Sequence, residues 1–390
     1  MRQKAPRSIV REIMTEFADL TGLSSTMKVP RRYLWTDAFA VCNFLELYSQ
    51  TREENYLDLA LRLIDQVHDV LGRHREDDRR SGRISGLDET EGKKHPTKGG
   101  LRIGKKMNER KPGDLYDERL EWERDGQYYH YLTKWMHALN RAGRVTGDST
   151  YRMWAVELAK TAHAKFTYVP SSSGQKRLYW KMSIDLSYPL VSSMGQHDPL
   201  DGFVTYNQLQ ATSAKDSQKP MPDLSAQISD MAEICKGKNW ATDDPLGMGG
   251  LLCDAYKIMQ LIINEDFEQG GLVEDLLDAC LLGLESYAKN DPLNLPADYR
   301  LAFRELGLAI GLHAVEKIRG LISKIPGLFD DKYLLHLRIE NLLGYCRLKE
   351  IIAGFWLEDK NRQASTWIEH RDINMVMLAT SLAPDGYLTL

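Results

Sequence analysis

Apolar residues recur at three- and four-residue intervals over most of this chain, and six of these runs open in the same way. A short polar or charged stretch comes first and an apolar stripe follows. The openers are Trp35-Thr36-Asp37 before AFAVCNFLELY, Asp125-Gly126-Gln127 before YYHYLTKWMHAL, and His197-Asp198-Pro199-Leu200-Asp201 before GFVTYNQL. The others are Asp243-Asp244-Pro245 before LGMGGLLCDAYKIMQL, Asp298-Tyr299-Arg300 before LAFRELGLAIGLHAV, and Trp367 to Asn374 before MVMLATSL. That spacing puts the apolar side chains on one helix face. Each opener therefore predicts a helix with a polar end and an apolar stem. Further helical runs lie at 271–289 and 332–358, and strand-like alternation is confined to 176–186. Six helix pairs predict an all-α fold, an (α/α)6 toroid, with inner helices starting near 37, 126, 201, 245, 300 and 372.

A repeat supports the pairing. Thr51, Tyr56, Ala60, Leu63 and His68 recur at the same spacing as Thr146, Tyr151, Ala155, Leu158 and His163. The threonine before an acidic stretch suits a helix start. The helical pattern has no obvious break, which predicts a single domain over 1–390. Two long insertions interrupt it, at 74–120 and 168–202. The first is rich in glycine and weak in apolar periodicity. Long loops of this kind usually carry function, and both are expected to wall the polar mouth of the ring.

Composition narrows the classes. The chain is 43% hydrophobic and 27% charged, with a net charge of −4. That balance is globular and argues against nucleic acid or membrane as the main partner. The five cysteines, Cys42, Cys235, Cys253, Cys280 and Cys346, are scattered in apolar runs with no CxxC pair. Neither a zinc site nor a disulfide frame is expected; free thiols in a reducing, cytoplasmic setting are. The start has no apolar signal-peptide core, and no run of ~18 apolar residues reads as a spanning helix. No cofactor or metal is called for, and the oligomeric state is left open.

In a toroid the six inner helices present their N-terminal ends, with their free N–H groups, to one mouth. The side chains at the openers then converge. Asp37, Asp125, His197, Asp198 and His370 are the candidate reacting groups. Trp35, Gln127, Tyr129, Trp180, Asp201, Arg304 and Asp372 are candidate substrate contacts, with aromatic faces for sugar rings. An aspartate at a helix start also caps that helix and needs no further reason. His130 and His137 share a helix face, but without HExxH spacing they read as buried histidines rather than metal ligands. Between 79 and 111 there are eleven Lys or Arg against four acids. This basic loop suggests a lid for an anionic group, with Arg79, Arg83 and Arg102 as contacts. Gly99 to Lys106 matches GxxxxGK. It has Lys where a phosphate-binding loop needs Ser or Thr, and no apolar strand leads into it.

The hairpin count and the Thr-Tyr-Ala-Leu repeat resemble the six-hairpin glycosidase superfamily. That superfamily includes N-acylglucosamine 2-epimerase-like enzymes, unsaturated glucuronyl hydrolases and several glycoside hydrolase families. The resemblance spans most of the chain and concerns architecture. No catalytic motif of one member maps onto these residues, so no family site is carried over. It implies a carbohydrate-active enzyme using general acid–base catalysis on a small-molecule or oligosaccharide substrate. A glycoside hydrolase comes first, acting on an anionic saccharide if the basic loop meets it. A sugar epimerase or isomerase is the alternative. A terpenoid-type cyclase fits less well because DxDD is missing, and a non-catalytic binding toroid stays open.

Overall fold

The protein is described by a computed structural model that covers residues 6–25, 27–171, 174–214, 221–265, 267, 269–322 and 332–390. Parts of two expectations, the start of the chain at 1–5 and residues 172–173 of the second insertion, lie outside the described residues. The helices in chain order are α1 (Pro6–Leu20), α2 (Leu34–Thr51), α3 (Glu54–Leu71), α4 (Glu89–Lys94), α5 (Glu118–Glu123), α6 (Tyr129–Thr146) and α7 (Ser149–Phe166). Then come α8 (Asp198–Ala214), α9 (Ser225–Cys235), α10 (Pro245–Glu265), α11 (Gly270–Asn290), α12 (Ala302–Ile322) and α13 (Lys332–Leu343). The last are α14 (Leu348–Leu357), α15 (Ser365–Glu369), α16 (Arg371–Leu382) and α17 (Asp385–Leu388). The run at 332–358 is thus two helices, α13 and α14, separated by a turn. Short strands β1 (Gln127–Tyr128), β4 (Lys181–Met182) and β5 (Pro189–Val191) form one antiparallel sheet in the order β1-β4-β5. Strands β2 (Thr167–Tyr168) and β3 (Arg177–Leu178) form a second antiparallel pair.

The contacts of the chain group into two compact units, residues 18–236 and residues 1–17 with 237–390. In the first unit α2, α6 and α8 pack side by side, and α3, α7 and α9 each return along the helix before it. Burial separates the two kinds. Helix α2 is buried without a break from Leu34 to Leu45. Helix α3 is buried only along one stripe, Tyr56, Leu59, Ala60, Leu63, Ile64, Val67, His68 and Leu71. An inner helix covered all round and an outer one covered on one face are what those sequence patterns demand.

The repeat has a structural meaning different from the one its sequence suggests. Thr51 and Thr146 do not begin the outer helices; they end the inner ones. Thr51 Oγ1 donates to the Leu47 carbonyl at 2.8 Å and accepts from the Glu53 N–H at 3.2 Å. Thr146 Oγ1 does the same with the Ala142 carbonyl at 2.7 Å and the Asp148 N–H at 3.1 Å. Each hydroxyl ties the last turn of one helix to the start of the next, with a left-handed residue, Arg52 or Gly147, between them.

Residues 99–104 form a strap against α2, α3 and β1. The Leu101 N–H donates to Gln127 Oε1 at 2.8 Å, the Arg102 N–H to the Leu71 carbonyl at 3.0 Å and the Ile103 N–H to the Gly126 carbonyl at 2.8 Å. Leu101 and Ile103 are fully buried. At Gly104 φ is +95°, and a Cβ there would collide with the Arg32 carbonyl, so only glycine fits this passage. The GxxxxGK-like stretch is a packing element.

In the second unit α10 and α12 pack together, α11 lies on α10, and α13, α14 and α16 surround α12. Glycines bring the first two close. A Cβ on Gly249 would collide with the Gly307 carbonyl, and one on Gly311 would stand 2.6 Å from the Gly249 Cα. By length and apolarity residues 245–264 of α10 suffice to cross a membrane, with a mean hydropathy of 1.3, but 72% of that stretch is buried inside the protein. It is a core helix, and it buries Asp254 and Lys257 as well.

Candidate active site

The seam between α6 and α8 carries a ladder of polar pairs. His130 Nδ1 lies 3.5 Å from Asp198 Oδ1, and Lys134 Nζ lies 2.6 Å from Asp201 Oδ1. Deeper in, His137 Nδ1 meets Gln208 Oε1 at 3.1 Å, and Asn140 Nδ2 donates to Thr212 Oγ1 at 3.3 Å. His130, Lys134 and His137 are four and three residues apart on α6, so they share a face. Asp198 and Asp201 share the first turn of α8, where free helix N–H groups favour carboxylates.

The two outer pairs differ in kind. Asp201 is held against an ammonium in a close ion pair. His130 Nδ1 and Asp198 Oδ2 are buried and have no hydrogen-bond partner among the described residues. Buried polar atoms left open in this way need an explanation, and a substrate-facing role is one. Gly195 makes room for this carboxylate: a Cβ there would stand 2.5–2.6 Å from the Asp198 carboxyl atoms.

Rings wall the outer end of the seam. His130 stacks on Tyr128 at 5.4 Å and on Trp180 at 6.4 Å, and meets Tyr131 edge-on at 4.9 Å. The Tyr131 and Tyr33 hydroxyls are 2.8 Å apart. Burial pushes the Tyr33 and Tyr128 phenols well above their ordinary value, so both stay protonated. Trp35 is buried behind this wall against Phe39 and Tyr131.

The expected site residues divide accordingly. Asp198, Asp201 and Trp180 come together here, and half-buried His197 directly precedes α8, its carbonyl accepting the Asp201 N–H. Asp37 and Asp125 are committed elsewhere. Asp37 is buried, accepts the Tyr33 N–H at 2.9 Å and pairs with Arg32 at 3.4 Å, closing the start of α2. Asp125 is fully buried. It accepts from Arg102 at 2.9 Å, Arg75 at 3.3 Å, the Gly104 N–H at 3.0 Å and its neighbour Gly126 N–H at 3.1 Å. A carboxylate saturated in this way anchors the strap and has no lone pair left for chemistry. Gln127 is buried too, bonded to Gly99, Leu101 and Ile184. Tyr129 is core: its hydroxyl donates to Tyr206 at 2.8 Å and sits over Gly202.

The basic loop is neutralised from within. Arg80 pairs with Asp78, Glu109 and Asp185, Arg83 with Asp69, Arg102 with Asp125 and Arg110 with Glu121. Arg83 is buried and Arg102 is partly so, which leaves Arg79 as the exposed member of the expected trio. The loop docks on the β4–β5 segment, through Tyr188 Oη to the Arg110 carbonyl at 2.7 Å and Arg110 to the Leu190 carbonyl at 2.8 Å. Spare cationic forks for an anionic substrate are therefore few, because most guanidinium groups already hold carboxylates.

Three expected residues belong to the second unit. Arg304 pairs with Asp244 at 2.6 Å, His370 meets the Phe303 ring edge-on at 5.4 Å, and Asp372 lies in the first turn of α16. Sequence reasoning missed Lys134, Tyr33, Tyr128 and Tyr131, and read His130 as a core residue. The i, i+4, i+7 spacing of His130, Lys134 and His137 was the available signal. Among the described residues no group of three His, Cys, Asp or Glu side chains is placed to hold a metal ion.

No protein-family model matches the chain, and no curated protein matches it in sequence. Solved structures do match. A family 76 glycoside hydrolase, an α-mannanase of Bacteroides thetaiotaomicron, superposes with a TM-score of 0.55 at 10% identity, over 97% of this chain and 96% of that one. A second family 76 glycoside hydrolase, from a bovine strain of the same species, gives 0.56 at 10% identity, over 98% of this chain and 78% of that one. The fold is that of the (α/α)6 toroids. The cellobiose 2-epimerase of Spirochaeta thermophila is also similar, with a TM-score of 0.49 at 11% identity over 98% of this chain and 99% of that one. The architecture expected from the six openers is the one the two family 76 structures share with this chain.

Proposed function

We propose that the chain is a carbohydrate-active enzyme, a glycoside hydrolase, working at the outer end of the α6–α8 seam. The observation that carries this reading is the pair of carboxylates on one turn of α8 in unlike surroundings. Glycoside cleavage needs two carboxyl groups with different tasks, one delivering a proton and one acting as base or nucleophile. Asp201, locked to Lys134, is the charged partner. Asp198, with one oxygen unbonded and His130 beside it, is the group able to exchange a proton. Half-buried Tyr131 and Trp180 supply faces for a sugar ring, with buried Tyr128 behind them. The likeness to family 76 hydrolases supports the fold this needs, and an α-mannan oligosaccharide is the natural first substrate to try. A reducing, cytoplasmic setting belongs to the same proposal, supported by the burial of four of the five cysteines.

A second reading has its own observation. An imidazole 3.5 Å from a carboxylate is also the pair that moves a proton at a carbon beside a carbonyl, the step of an epimerase or isomerase. One experiment separates the two. The protein is incubated in D2O with α-mannan oligosaccharides and with reducing disaccharides. New reducing ends mark hydrolysis; deuterium appearing next to the anomeric carbon marks epimerisation or isomerisation. Asp198→Asn is expected to lower either rate at least ~10²-fold. Full turnover in both Asp198→Asn and Asp201→Asn would remove this seam from the mechanism.

A further inference from the structure

Trp122 lies on the six-residue helix α5 and is 45% exposed. A single exposed ring is common on a protein surface; Trp122 stands out by what it touches. It is also the outer end of a path. Trp122 meets Trp180 edge-on at 5.2 Å, Trp180 stacks parallel to His130 at 6.4 Å, and His130 is 3.5 Å from Asp198. Each step is comparable to one pyranose ring. Tyr128 backs the path from behind, buried between Trp180 and His130.

Several guanidinium groups beside this path are already occupied. Arg75, Arg80, Arg102 and Arg110 bind carboxylates of the protein itself. Lys105, the cation over the Trp122 ring at 5.9 Å, donates to the Trp122 carbonyl, and burial pushes its ammonium down. With those groups occupied, the Trp122 and Trp180 rings are the surface left to bind, and the chemistry that fits an aromatic ring is the C–H face of an uncharged sugar.

Resting on the hydrolase reading of the Asp198 site, we infer that Trp122 is its outermost subsite. The substrate is then a neutral oligosaccharide long enough to run from Asp198 past Trp180 to Trp122. The test measures binding by the full chain of neutral manno-oligosaccharides of increasing length, by calorimetry. Affinity is expected to rise with length. Trp122→Ala should lower affinity for a hexasaccharide about tenfold, the scale of one lost aromatic contact, and should erase the gain from length. Trp122→Phe should restore most of it, and a uronate-bearing chain of equal length should bind no more tightly. An unchanged length dependence in Trp122→Ala would overturn the inference, as would tighter binding of the uronate chain or no saccharide binding at all. Intact binding with a dimer-to-monomer shift in light scattering would do so too, by making Trp122 a contact between copies. Trp122-dependent binding without turnover would leave this inference standing and sink the hydrolase reading. Turnover without any Trp122 effect would do the reverse.

Discussion

Asp125 and Asp198 both open an apolar helical run in the sequence, and only their surroundings tell them apart. Asp125 accepts four hydrogen bonds in a fully buried pocket, two of them from guanidinium groups. Removing one partner of such a cluster leaves buried charge uncompensated. Asp125→Ala is expected to cost about 3–5 kcal/mol of stability, read by denaturant melts. Asp198→Asn should do the opposite: activity collapses while the melt barely moves, since one carboxylate oxygen is unbonded. Equal melting of the two variants would show that Asp125 is no more structural than Asp198. His130 illustrates the limit of reading residues singly. On α6 it looks like a core histidine; only Asp198, sixty-eight positions later in the chain, puts a carboxylate 3.5 Å from its ring.

At the scale of elements, apolar periodicity found the long helices well, because a 3.6-residue repeat is a local property of the chain. It said little about the 74–120 loop, whose order comes from ion pairs and from the 99–104 strap rather than from an apolar stripe. Glycine is equally blind to context. Gly249 and Gly250 are neighbours in α10, yet a Cβ on the first would collide with the α12 backbone and one on the second would meet nothing within 4 Å. Gly249→Ala is expected to destabilise by about 1–3 kcal/mol through overpacking. Gly250→Ala should stabilise by roughly 0.5–1 kcal/mol through helix propensity. Thermal melts of the two variants should move in opposite directions; a shared direction would mean that α10 and α12 are not in backbone contact.

For the whole molecule, buried neutral histidines set the response to acid. Burial lowers the His68 imidazole to about 3 from the usual 6.5, and its Nε2 accepts the Trp135 indole N–H at 3.2 Å. Burial also lowers His313, with the Lys349 ammonium adding to it. The unfolded chain takes up these protons near pH 6.5, and the folded chain only at lower pH. Stability therefore rises with pH through that window and, for His68, is lost as pH falls from 6.5 toward 3, by up to about 1.4 kcal/mol per pH unit; His313 adds in the same direction. A series of melts across this range checks it. His68→Gln should flatten the acid side of the curve, and an unchanged slope would mean that His68 is charged in the fold.

The sequence by itself determined the long helices and the (α/α)6 class, because amphipathic spacing is written in neighbouring residues, whereas the hydrogen bonds of Thr51 and Thr146 show that they end inner helices and do not begin outer ones. Tertiary structure alone decided which polar openers face solvent and which are spent. Asp37, Asp125 and Gln127 close the packing of loops against helices, and the arginines of the basic loop meet acids far away in the chain. A site is a set of distances between distant segments, and a single opener carries none of them. His130 with Asp198, and Lys134 with Asp201, exist as pairs only because α6 and α8 lie side by side.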